Sequence, residues 1–346
     1  MERVIGLGRR IHRLIDRLLR LSGRLRARLA IRGRVGSPKL GLFELGTHRV
    51  VHTPRCPVHH PLINEVAAVV RRALIDTRTS CYSDKAHLGL ARYLQVVIER
   101  SSGTAQVVLV GNSADAGPLA ECLELIRERL GARLHSLWFN SQTEPINTIL
   151  GQRFEHITGP ECVIEHFGAA AIHYPPGAFG QSNLEMATAI VEHLRGLIPA
   201  EADVAEFYAG VGAIGLSVLP GLRSLSLNEL NPHSLHGLHL GLAQLPAADR
   251  ARTRVFAGSA ATALDATAQA QVVIVDPTRK GLDLELRNHL RDHPPEHLLY
   301  VSCSLPSLLE DTAILTAGAL RLTGLTAFNL LPFTEHVESV AHFRRA

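Results

Sequence analysis

Val204-Ala205-Glu206-Phe207-Tyr208-Ala209-Gly210-Val211-Gly212-Ala213-Ile214-Gly215 is an apolar, strand-like run that breaks into glycines. Glycines after a strand let the backbone pass close beneath a bound nucleoside, although a G-x-G alone is weak evidence and the full dinucleotide fingerprint is missing. About twenty residues further on, Ser226-Leu227-Asn228-Glu229 ends the next strand-like run on a carboxylate, the place from which an acid accepts ribose hydroxyls. Both a dinucleotide and S-adenosylmethionine, which has no phosphates to cradle, satisfy that pair of features.

Working outward, strand-like runs at 204–208, 224–227, 254–256, 272–275 and 297–301 alternate with helical stretches. Such alternation predicts a parallel sheet with helices on both faces. Residues 319–330 and 337–343 read as a closing pair of strands. Val272-Val273-Ile274-Val275 delivers Asp276-Pro277-Thr278-Arg279-Lys280-Gly281, where Asp-Pro sets a carboxylate at the sheet edge and turns the chain. Tyr300-Val301-Ser302-Cys303-Ser304-Leu305-Pro306 puts Cys303 where a strand gives way to a loop, the edge at which open α/β sheets bind ligands.

Upstream, Tyr93–Glu99 and Gln106–Val110 read as a hairpin, with a helix near 118–130 and a strand at 134–139. Helix alternating with hairpin predicts an α+β domain. Cys56-Pro57-Val58-His59-His60-Pro61 offers metal-ligand types, but a structural zinc site wants a second close-spaced pair and none exists. It reads as a loop capping the helix from about Leu62 to Leu74, and no metal is expected.

The amino end carries the charge. Of 36 basic and 32 acidic residues in the 346-residue chain, eleven arginines fall between Arg3 and Arg34 against Glu2 and Asp16. The remainder is mildly acidic, so the positive field is concentrated where a polyanion would meet it. Val4, Leu7, Ile11, Leu14, Leu18, Leu21 and Leu25 step by three and four, the stripe of an amphipathic helix. RNA contact, docking on the body or a second copy, and organelle targeting all suit such a helix. No apolar run approaches the roughly 18 residues of a membrane span. Five scattered cysteines predict a reduced, cytoplasmic setting without disulfides.

Five pieces in order resemble the RNA uracil-C5 methyltransferase family, the S-adenosylmethionine-dependent enzymes that form 5-methyluridine in tRNA and rRNA. They are Phe179-Gly180-Gln181-Ser182-Asn183, the Glu206–Gly215 loop, Asp276-Pro277-Thr278-Arg279, Val301-Ser302-Cys303-Ser304 and Leu331-Pro332-Phe333-Thr334-Glu335-His336-Val337-Glu338. Looser likeness extends through Leu137–Asn140 and Asn147–Gly151. The pattern along the chain gives a basic amphipathic helix at 1–28 and an α+β RNA/substrate domain at 29–178, and the resemblance implies a Rossmann-like class I methyltransferase domain at 179–346.

It also implies roles. Cys303 is the nucleophile that adds to C6 of uracil, and Glu338 the base that takes the C5 proton. Gln181, Tyr208, Gly210, Gly212, Glu229 and Asp276 would contact S-adenosylmethionine, and Arg279 the substrate. A cation beside Cys303 would raise its thiolate fraction. The partner is RNA rather than DNA or a membrane. Ala213 replaces a common Asn, Ser259 an acid that often meets the adenine amino group, and Ser304 an Asn after the Cys. Two rivals compete: cytosine-C5 methylation, whose RNA enzymes usually place a Cys directly after Asp-Pro-Pro or Asp-Ala-Pro, and a noncatalytic RNA-binding protein on the same fold.

Overall fold

The computed structural model describes residues 23–330, 334 and 337–346. Most of the expected basic helix and residues 331–333, 335 and 336 of the last motif lie outside them. The chain divides into two compact units, Met1–Val163 and Ile164–Ala346.

The first unit is a seven-stranded sheet in the order β3-β2-β1-β4-β5-β6-β7. Its strands are β1 (Arg26–Arg34), β2 (Ser37–Phe43), β3 (Val50–His52), β4 (Ala91–Glu99), β5 (Thr104–Gly111), β6 (Leu134–Ser141) and β7 (Arg153–Thr158). All neighbours are antiparallel except β5 and β6, which the helix Ala120–Leu130 joins as a crossover. Leu29, Ile31, Leu94, Val96, Val107, Leu109, Leu137 and Phe139 alternate onto one face, and with Ile63, Val66, Val70 and Ile126 of the two helices form one apolar core.

Residues 26–28, read as the end of the basic helix, are strand instead. Ala27 and Leu29 alternate with Arg26 and Arg28, and this period of two wins once β4 pairs along the segment. The Cys56–Pro61 loop leads into the helix Pro61–Asp76, where His60 Nδ1 accepts from the Leu62 N–H at 3.3 Å.

The second unit opens with the hairpin β8 (Val163–Phe167) and β9 (Ala170–Tyr174), then the helix Leu184–Leu197 with Asn183 as its N-cap. Its main sheet runs β12-β11-β10-β13-β14-β16-β15. The strands are β10 (Ala202–Phe207), β11 (Leu222–Glu229), β12 (Thr253–Ala257), β13 (Val272–Val275), β14 (His297–Ser302), β15 (Leu320–Phe328) and β16 (Glu338–Arg345). β10 to β14 are parallel, while β16 inserts antiparallel between β14 and β15. Strand order reverses between β10 and β13, and the crevice beyond their carboxyl ends is the natural ligand site.

The compact units meet at 163/164, whereas the sequence motifs place the change at 178/179. The β8–β9 hairpin goes with the second unit because the helix Pro232–Ala243 seats against β9 through glycine. A Cβ at Gly237 would lie 2.3 Å from the His173 carbonyl oxygen. No helix of the described residues is long and apolar enough to cross a membrane.

Candidate active site

The loop after β10 is shaped for close approach. Gly210 and Gly212 have φ of +59° and +82°, and Tyr208 adopts φ +60°, a conformation that costs a side-chain-bearing residue ~1–2 kcal/mol. The Tyr208 hydroxyl donates to Asp283 Oδ2 at 3.2 Å and accepts from the Asp283 N–H at 3.0 Å. Its hydroxyl thus ties this loop to the start of the helix Leu284–Asp292, leaving the ring as its other surface for contact.

Glu229, at the end of β11, is oriented by backbone donors. Its Oε2 accepts from the Gly210 N–H at 2.7 Å, and its Oε1 from the N–H groups of Leu230 at 2.9 Å and Asn231 at 2.6 Å. Beside it, Asn228 clasps β11 to the end of β12 through the carbonyls of Phe256, Gly258 and Ser259. Ser259 contributes its backbone carbonyl to that clasp, while the Ala213 carbonyl, in the glycine loop, accepts from Ser217 Oγ. Under the glycine loop, Glu206 is buried, and its Oε2 has no hydrogen-bond partner among the described residues. Burial and then the neighbouring Asp276 push its carboxyl well above the usual range.

The second cluster sits across β13, β14 and β16. Cys303 is the first residue beyond β14 and is half-buried. Antiparallel pairing ends with Ser302 opposite Ser339, which brings the next residues, Cys303 and Glu338, beside one another. Glu338 is 5% exposed. Burial lifts its carboxyl to about 7, with the Arg279 cation pulling the other way. Asp276, beyond the end of β13, is pushed up to about 8 by burial and by Glu338.

The Cys303 thiol is itself pushed up, first by burial, then by Glu338 and Asp276, while Arg279 pulls it down. Arg279 therefore does favour the thiolate, as the sequence suggested, but two carboxylates that sequence spacing did not place beside the sulfur outweigh it. Among the other cysteines, burial pushes Cys122 to about 11 and Cys162 to about 12, and both are core residues.

The structure thus brings Cys303, Glu338, Asp276 and Arg279 into one cluster and Gly210 and Glu229 into another, with Tyr208 in the loop between strand and helix. Gln181 is half-buried two residues before the N-cap Asn183, and no bond among the described residues ties it to Glu229 or Asp276. Sequence reasoning passed over Asp283, the N-cap of the helix Leu284–Asp292, and Ser307 and Asp311, which lie within the helix Leu305–Leu315 where no local pattern marks them. Nor do the described residues form a group of three or more ligands able to hold a metal ion.

A glycine loop after the first parallel strand, an oriented acid after the second and a seventh strand inserted antiparallel define a class I S-adenosylmethionine-dependent methyltransferase. The residues fit that cofactor: a backbone with room for close approach, a fixed carboxylate and no phosphate cradle. Comparison narrows the class. The family model for tRNA (uracil-5-)-methyltransferase matches residues 247–346. A Protochlamydia amoebophila protein described as an uncharacterized RNA methyltransferase is 34% identical over 328 residues, covering 93% of this chain and 86% of its own length. A Geobacter sulfurreducens protein of the same description is 27% identical over 91% of this chain, which spans 64% of that relative. In fold, the chain is similar to the crystal structure of Pyrococcus abyssi tRNA (uracil-54, C5)-methyltransferase in complex with S-adenosyl-L-homocysteine, with a TM-score of 0.74, 20% identity, and coverage of 93% of this chain and 76% of that one. The chain belongs to the S-adenosylmethionine-dependent RNA uracil-C5 methyltransferase family.

Proposed function

We propose that this enzyme methylates C5 of a uridine in tRNA or rRNA through a covalent bond between Cys303 and C6 of the base. The observation that carries the reading is the juxtaposition of a half-buried thiol with a buried carboxyl near neutrality, across one antiparallel ladder. A uracil C5 is too poor a nucleophile to be methylated unaided. When the Cys303 thiolate bonds to C6, the C5=C6 electron pair moves toward the C4 carbonyl as an enolate, and C5 becomes nucleophilic. S-adenosylmethionine, when bound, supplies an electrophilic methyl group. The C5 proton then passes to Glu338, the electron pair restores C5=C6, and the Cys303 sulfur leaves with the pair of the C6–S bond.

A carboxyl poised near 7 exchanges protons efficiently at physiological pH. Because burial and the neighbouring acids push the free thiol up, its proton must leave to solvent before attack, since Glu338 has to be unprotonated to take the C5 proton afterwards. Gly210, Gly212, Tyr208, Glu229, Asp276 and Gln181 would hold the cofactor. Arg279, exposed next to the thiol, is the substrate-side cation. For C6 to reach Cys303 the base must leave its stack.

Nucleoside mapping of tRNA and rRNA from cells with and without the gene tests this. Loss of 5-methyluridine at a defined position supports the reading. Loss of 5-methylcytidine instead would move the enzyme to the cytosine chemistry.

A further inference from the structure

The loop carrying Arg279 is held at two points by one face of the helix Leu305–Leu315, which starts two residues after Cys303. Ser307 Oγ donates to the Arg279 carbonyl at 2.6 Å. One helical turn later, Asp311 Oδ2 accepts from the Leu282 N–H at 2.9 Å. Gly281 lies between the two tethers at φ +81°, and a Cβ there would come within 2.6 Å of Asp311 Oδ2 and 3.3 Å of Ser307 Cβ. The contact leaves no slack.

Asp311 is 2% exposed, and a carboxylate that deep needs donors on both oxygens. Tyr300 in β14, three residues before Cys303, donates its hydroxyl to Oδ2 at 2.7 Å, and Arg287 donates to Oδ1 at 3.1 Å. The same acid therefore ties together the strand that ends at Cys303, the helix that follows it and the loop that carries Arg279. At the helix start, Ser304 Oγ lies 3.0 Å from Ser307 Oγ, which brings the residue after Cys303 into the same chain of contacts.

We propose that Ser307 and Asp311 are positioning residues: they clamp the 279–282 loop so that the Arg279 guanidinium stays beside the Cys303 sulfur, and thereby set how readily that thiol ionises. The charged and titratable groups that face the thiol are Glu338 from β16 and Asp276 and Arg279 from the loop after β13. Two of these oppose ionisation. Arg279 is the one cation among these groups that favours it, so displacing it leaves only groups that oppose ionisation. The clamp's use in catalysis rests on Cys303 being the nucleophile, but its effect on the thiol does not.

The test is the pH dependence of Cys303 alkylation by iodoacetamide in the full chain, read on the Cys303 peptide by mass spectrometry so that the other cysteines do not interfere. Arg279→Ala should raise the midpoint by about half a pH unit or more, the direction expected on removing a nearby opposite charge. Ser307→Ala and Asp311→Asn should raise it in the same direction. The Ser307→Ala/Arg279→Ala double variant should go no higher than Arg279→Ala alone, since the clamp acts only through Arg279. Ser307→Ala deletes one hydroxyl on a half-buried surface and keeps the test decisive even where Asp311→Asn fails to fold. Wild-type midpoints in Ser307→Ala, an unmoved midpoint in Arg279→Ala, or shifts that add in the double variant would overturn the proposal. A protein whose midpoints move as stated but which methylates no uridine would uphold the clamp and sink the functional reading alone.

Discussion

Glu338 lies beside Cys303, each the residue next after the Ser302–Ser339 pair that ends the β14–β16 ladder. A base that removes the C5 proton must stand beside the carbon next to the one the sulfur has attacked, and Glu338 is close enough to the thiol to act on it electrostatically. Glu338→Gln keeps the shape and removes the base. Methyl transfer should still occur once, and release should fail. Denaturing electrophoresis of the variant with RNA and a labelled methyl donor should therefore show labelled protein–RNA adduct accumulating, with steady turnover reduced by ~10²–10⁴-fold. Free methylated RNA at the wild-type rate would remove Glu338 from the mechanism.

The raised carboxyls make stability fall with pH. In the unfolded chain Glu338 and Asp276 titrate near the ordinary values of 4.5 and 3.8, while in the folded protein they titrate at about 7 and about 8. Between those limits the folded state binds more protons than the unfolded state, so this contribution is present in acid and lost as pH rises through the folded values. Glu338→Gln, which cannot ionise, should melt close to wild type at pH 5 and a few degrees higher at pH 8, by about 1–2 kcal/mol. Calorimetry at the two pH values checks it, and a gap that shrinks with rising pH would contradict the assignment.

Catalysis should respond in the opposite sense. Both the thiol and Glu338 act in their deprotonated forms, so single-turnover release of free methylated RNA should rise from pH 6 to pH 8.5. A rate that falls over that interval would exclude Glu338 as the base.

Glu229 is oriented by three backbone N–H groups, one of them from the glycine loop. Glu229→Ala should weaken S-adenosylmethionine binding by about tenfold or more, about 1.4 kcal/mol, through the lost carboxylate and the loosened Gly210. Isothermal titration measures it. Unchanged affinity would place the nucleoside elsewhere.

The parallel strands were legible because buried β-rich runs ending in Gly210, Glu229, Asp276 and Cys303 repeat one pattern, each strand delivering chemistry to the same edge. The closing strands at 319–330 and 337–343 were visible for the same reason, from their β-prone composition. What the pattern could not carry was lateral order. That β16 lies between β14 and β15, bringing Glu338 beside Cys303, is fixed by pairing between segments far apart in sequence. Ser307, Asp311 and Asp283 went unread because a hydroxyl or carboxylate in a helix or at its N-cap has the same local signature whether it faces water or clamps a loop. Arg26 and Arg28 misled in the other direction, since their charge extended a helical stripe into what pairs as a strand. Arg279 does pull the thiol down as expected, but the opposing weight of burial, Glu338 and Asp276 could not be read from spacing, because these groups come together only through the pairing of the strands.

Gly237 offers a test of the packing beneath the site. A Cβ would sit 2.3 Å from the His173 carbonyl and 2.8 Å from Pro175 Cδ, too close for either to yield without moving β9. Gly237→Ala should cost ~1–3 kcal/mol in denaturant unfolding. A wild-type midpoint would mean that this helix and β9 do not pack as closely as described.

Covalent catalysis here depends most directly on the sulfur of Cys303. Incubating the enzyme with target RNA carrying 5-fluorouridine and S-adenosylmethionine should trap a covalent complex, because fluorine at C5 cannot leave as a proton and the sulfur stays bound. Peptide mass spectrometry should then find the nucleotide on Cys303, and Cys303→Ala should give neither the complex nor any methylated RNA. Normal 5-methyluridine from Cys303→Ala, or an adduct on another residue, would contradict it.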